Sequence, residues 1–175
     1  MMRKSTRNLV NAALMLAVSW LLPMLVAPNQ FIAQSLSPMH IPILLCGFIC
    51  DLPWAMVVGF LAPFLRHLTL GIPQNPVLIA MAFELCTYGL VTSLLFRILR
   101  CGDIAKTYAS LIVAMIAGRG VYGVVMAILA GFYSVPFTFQ IFLTDVFLKS
   151  IWGIVFHIAI IPPIVLALRR AKLLK

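Results

Sequence analysis

Carboxylates are scarce in this chain. Asp51, Glu84, Asp103 and Asp145 are the only four, against 13 lysines and arginines in 175 residues. Charged residues of both signs make up 10% of the sequence, where a soluble domain carries about 25%. With 63% hydrophobic residues and a mean hydropathy of +1.12, the chain lacks the polar surface needed to cover a soluble core. It reads as an integral membrane protein. Cysteine is also sparse: Cys46, Cys50, Cys86 and Cys101 form no paired framework, and no carboxylate or histidine joins Cys46 and Cys50 at ligand spacing. The phosphate-loop pattern G-x-x-x-x-G-K-[ST] is missing, which excludes ATP hydrolysis by that route, and H-E-x-x-H is missing as well. Four scattered carboxylates give no D-x-x-D metal pair, which argues against a membrane-embedded enzyme. The net charge of +9 does not indicate nucleic acid, because the basic residues flank apolar spans.

What is present is a series of long apolar runs. A helical span needs about 20 such residues. The chain divides into six, at about 8–26, 40–50, 53–70, 76–99, 107–132 and 140–168, with short loops between. The expected fold is an all-α bundle of six transmembrane helices forming a single domain over 1–175. Asp51 before Pro53 reads as a helix cap, Pro63 as a kink, and Pro162-Pro163 as a bend in the last span. The basic start MMRKSTR before an apolar run looks like a secretory signal, but no A-x-A site follows, so it reads as a retained first helix.

Ten of the basic residues fall in three clusters: Arg3, Lys4 and Arg7; Arg97, Arg100 and Lys106; Arg169, Arg170, Lys172 and Lys175. With six spans these share one face, while the loops 27–39, 71–76 and 132–139 carry no Lys or Arg. The positive-inside rule then puts both termini in the cytoplasm.

Arg66, Arg119 and Lys149 lie inside apolar runs, together with Glu84 and Asp145. At about 1.5 Å per residue, Arg66 lies ~20 Å and Arg119 ~18 Å from the inner side, while Glu84, Asp145 and Lys149 lie ~12, ~8 and ~13 Å from the outer side. All five fall in the outer half of a slab about 30 Å thick. A charge at the bilayer centre costs at least about 2.5–3.5 kcal/mol, so they face inward and pair. Three cations against two anions leave a surplus of +1. An anionic ligand would complete the set; a structural ion-pair network with one cation snorkelling to water is the alternative. Tyr88, Tyr122, Trp152 and Phe156 follow these charges at helical spacing, and each is also open to a packing role. Gly118, Gly120 and Gly123 allow close approach near Arg119. His67 beside Arg66 is a further candidate, and His157 reads as a packed histidine. Asn29, Gln30, Gln34, Ser35, Gln74 and Asn75 make the outer loops either a lid or solvated turns.

In span 1, Ala13 and Ala17 form an A-x-x-x-A, whose small side chains let another helix approach closely in lipid. This motif, the six short-looped spans, the outer polar pocket and the stretches MHIPILLCGFICDLPWAMVVGFLAPFLRHLTLGIP and IAMAFELCTYGLV together resemble the substrate-binding (S) components of energy-coupling factor (ECF) transporters. The resemblance implies a non-enzymatic subunit in the plasma membrane of a prokaryote. Such a subunit captures a vitamin or precursor from outside and docks through helix 1 on a transmembrane coupling protein with two ATPase subunits. It then topples to release its substrate inside. No cofactor is implied in this chain itself, since ATP is used by the partner ATPases. Binding by loop 1 and spans 4 to 6 matches Glu84, Tyr88, Arg119, Tyr122, Asp145, Lys149 and Trp152, with Arg66, Asn29 and Gln34 added from the depth and loop readings. Ala13 and Ala17 match the docking motif, although Leu9 and Leu21 flank it where family members often carry further small residues. The cation surplus favours an anion: pantothenate by charge, size and hydroxyls, nicotinate or a folate by charge. The rival is a ligand-free membrane scaffold of the rod-shape MreD kind.

Overall fold

The computed structural model describes residues 4–26, 36–144 and 151–171, and among these every regular element is helical. The helices are α1 (Lys4–Val26), α2 (His40–Ile49), α3 (Leu52–Leu70), α4 (Val77–Ile98), α5 (Asp103–Tyr133), α6 (Phe139–Leu143) and α7 (Ile151–Arg170). Five of them, α1, α3, α4, α5 and α7, are long and apolar enough to cross a membrane. The second expected span is the shorter α2. The expected sixth span starts with α6 and ends with α7, and residues 145–150 between them lie outside the described residues. The segment YSVPFTF sets the start of that span, because Ser134 adopts a left-handed conformation that ends α5 and Thr138 starts α6 by accepting from the Ile141 N–H at 3.3 Å.

Local chemistry sets the other ends. Pro53 occupies the first turn of α3, where a missing N–H costs nothing. Gly71, at φ +70°, closes that helix with its N–H on the His67 carbonyl at 2.8 Å. The helix continues through Pro63, which is buried in it.

α2 is apolar around most of its circumference, and such a helix belongs inside. It packs against α1, α3, α4 and α7, and Ile43, Leu44 and Cys46 are fully buried. α4 is the second hub, between α3 and α5. Two glycines let α3 and α4 cross closely. A Cβ on Gly59 would meet the Leu85 backbone, and one on Gly89 would meet the Ala55 backbone. The pairing of 59 with 85 and 55 with 89 makes the two helices antiparallel.

Two ionic clusters tie helix ends together. Asp51 stands at the start of α3 but does not cap it. Its carboxylate instead takes the Asn8 amide from α1 and Arg97 from α4 at 3.0 Å. Arg97 also donates to the Cys50 carbonyl at 2.6 Å. Asp103 pairs with Lys106 at 3.3 Å and with Arg169 of α7. A charged partner on another helix offers Asp51 more than a local N–H does, which is why the cap expected from sequence gives way. These pairs are partly exposed, so each contributes at most about 1 kcal/mol.

Candidate functional site

The polar centre of the bundle is built from one residue or two on each of four helices. Glu84 and Tyr88 are one turn apart on α4, and the Tyr88 hydroxyl donates to Glu84 Oε1 at 2.6 Å. His40, the first residue of α2, brings its Nε2 to 3.9 Å from the same oxygen, with its ring 5.5 Å from that of Tyr88. His157 on α7 stacks on His40, ring centroids 6.0 Å apart. Arg119 on α5 is close enough to act electrostatically on Glu84, Tyr88, His40 and His157. Relative exposures are 6% for Glu84 and Arg119, 7% for His40 and 1% for Tyr88 and His157, so this is an enclosed cluster and not a solvated face. Electrostatic interactions in such surroundings are far less screened than at a surface.

Gly118 makes the arrangement possible. A Cβ there would run into the Tyr88 ring, so only glycine lets α5 come close enough to set Arg119 beside the Glu84–Tyr88 pair.

The sequence-derived candidates divide into three groups. Glu84, Tyr88 and Arg119 come together. Arg66 on α3 is half-buried, with its Nε lacking a hydrogen-bond partner among the described residues, and it acts electrostatically on His40 from the edge of the cluster. Tyr122 is half-buried, nearly one turn beyond Arg119. Trp152 is 67% exposed, on the outer surface of α7. Asn29, Gln34, Asp145 and Lys149 lie outside the described residues. His67 does not join the cluster in the described contacts: its Nδ1 is bonded to the Pro73 carbonyl at 2.8 Å and so ties α3 to the following turn. Sequence reasoning does not single out His40 and reads His157 as packing. The available signal was a polar ring within an otherwise apolar helix, the same signal that marked Glu84.

The docking candidates also have a defined position. Ala13 and Ala17 are exposed, in a row with exposed Leu9, Leu21 and Leu25 along α1, while Ala12, Ser19 and Pro23 face the bundle. The A-x-x-x-A thus lies on the outward side of the helix.

A family model described as "ECF transporter, substrate-specific component" matches residues 7–165. The chain belongs to that family. No curated protein and no solved structure matches it. As an S component it is a multi-pass membrane protein that binds a small-molecule substrate for transport, in association with ECF coupling and ATPase modules. It is a transporter subunit and not an enzyme, and the membership sets it apart from membrane scaffolds.

Proposed function

We propose that this S component captures an anionic vitamin or vitamin precursor from outside the cell, with pantothenate the favoured substrate. The observation that carries the proposal is the buried Glu84–Tyr88–Arg119 cluster, with Arg66 at its edge. Two guanidiniums near one carboxylate leave a formal excess of one positive charge among the described groups. A buried charge is tolerated when it is paired and hydrogen-bonded. A substrate carboxylate supplies both, and Tyr88 and Glu84 fix the geometry against which it docks. Asp145, Lys149, Tyr122, Trp152, Asn29 and Gln34 belong to the proposed site as further contacts from the outer ends of the helices and the first outer loop.

Delivery follows from the outward row on α1. Ala13 and Ala17 leave a shallow strip against which a helix of the coupling protein packs, since small side chains are what allow close helix approach in lipid. Both termini are cytoplasmic in this reading, on the side where two ATPase subunits hydrolyse ATP. Toppling of the docked subunit then exposes the site to the cytoplasm.

Calorimetry with pantothenate, nicotinate and a folate on the purified chain tests the site. Submicromolar binding of one carboxylate that is lost in Arg119→Ala is the expected outcome. Equal affinity of the folded Arg119→Ala chain would refute the role of the arginine.

A further inference from the structure

Glu84, Tyr88 and Arg119 form the charged side of the site, and they leave two imidazole nitrogens unaccounted for. The His40 and His157 rings lie nearly parallel, 19° apart in plane. His40 Nε2 stands 3.9 Å from Glu84 and the ring also meets the Ser37 backbone, while its Nδ1 is buried with no partner at hydrogen-bond geometry among the described residues. The His157 ring meets the backbone at Leu36 and Ser37, and its Nε2 is likewise buried and unpartnered. An unsatisfied buried polar atom costs about 1–3 kcal/mol. Two such atoms on adjacent rings beside a substrate site call for a substrate group that satisfies them.

The chemistry of that group can be narrowed. A neutral imidazole has one N–H and one bare nitrogen. The His157 ring turns one nitrogen to backbone oxygens at Leu36 and Ser37, so its proton belongs there, which leaves Nε2 bare and able only to accept. A hydroxyl donates to such a nitrogen. A hydroxyl both donates and accepts, so it also satisfies His40 Nδ1 in either tautomer. The groups facing the pair are Glu84 and Tyr88 from α4, Arg119 from α5, Arg66 from α3 and the backbone at Leu36 and Ser37. None of these side chains bonds His40 Nδ1 or His157 Nε2.

We infer that His40 and His157 form a hydroxyl-reading subsite beside the arginines, so that the substrate is a hydroxylated carboxylate and not a bare aromatic acid. The inference rests on the carboxylate-binding reading above and narrows it, since it separates pantothenate from nicotinate.

The chain has three histidines, and the third, His67, is bonded to Pro73 and serves as an internal control. The full chain in detergent, labelled with 15N in its imidazoles, is titrated with pantothenate and with nicotinate, and calorimetry gives both affinities. Pantothenate is expected to bind the tighter and to move the ring signals of His40 and His157 while that of His67 stays in place. His40→Phe and His157→Phe should each weaken pantothenate at least tenfold. Pantothenate binding with the two signals unmoved, and with both variants at wild-type affinity, overturns the subsite and leaves the carboxylate reading standing. Preference for nicotinate does the same. Binding of neither acid overturns both. If the phenylalanine variants do not fold, the ring signals of the wild-type chain decide the matter alone.

Discussion

A guanidinium enclosed between helices needs opposing charge and hydrogen-bond acceptors close by, and this requirement governs the residues around Arg119. The neighbourhood contains one carboxylate, one phenol and two imidazoles on three other helices. Replacing Arg119 by alanine is expected to cost at least tenfold in substrate affinity, about 1.4 kcal/mol, measured by calorimetry on a chain whose melting temperature shows it folded. Gly118→Ala acts one step removed. Its Cβ collides with the Tyr88 ring, and overpacking of this kind costs about 1–3 kcal/mol. Thermal denaturation should show a lower melting temperature, and affinity should fall as the phenol leaves Glu84; an unchanged melting curve would contradict the close contact. The members of this site were legible in sequence in proportion to what each costs in lipid. Glu84 and Arg119 stand out because a charge in an apolar run demands a reason. His40 and His157 did not stand out, since a neutral imidazole is cheap enough to be ordinary packing, and only their stacking reveals a common purpose.

At the scale of helices, hydropathy and punctuation served well wherever one apolar run equals one helix. α1, α3, α4 and α5 lie within a few residues of the expected spans, and the short second span is α2. The last span is met at its two ends by α6 and α7, with residues 145–150 outside the described residues. The Asp51 cluster escapes sequence reasoning: a carboxylate before a proline has the local signature of a cap, and a partner on another helix is invisible to local reasoning. The α3–α4 crossing yields a sharp expectation. Gly59→Val sets a branched side chain against the Leu85 backbone, which cannot give way as a flexible side chain can. The variant should unfold at lower temperature than Asp51→Asn, whose partly exposed pair contributes at most about 1 kcal/mol. α1 carries the opposite kind of expectation, since its alanine strip is outward. Ala13→Trp or Ala17→Trp should abolish uptake by the assembled transporter while leaving substrate affinity of the isolated chain intact. Uptake that survives both substitutions would remove α1 as the docking surface.

For the whole molecule, the asymmetry of basic residues sets the expected orientation, and the cysteines supply the means to check it. Cys101 lies exposed in the basic loop between α4 and α5, while Cys46 and Cys50 are buried. A membrane-impermeant maleimide should label Cys101 in inside-out vesicles and spare it in intact cells. Labelling in intact cells would invert the topology and put the alanine strip and the site on the wrong sides for uptake. The claim on which the rest depends is that the enclosed cluster is a substrate site, and native mass spectrometry of the detergent-purified chain tests it most directly. A co-purifying small carboxylate, absent from the folded Arg119→Ala chain, is the expected result. An empty wild-type chain whose melting temperature no carboxylate vitamin raises would contradict it, and would make the buried charges a purely structural network.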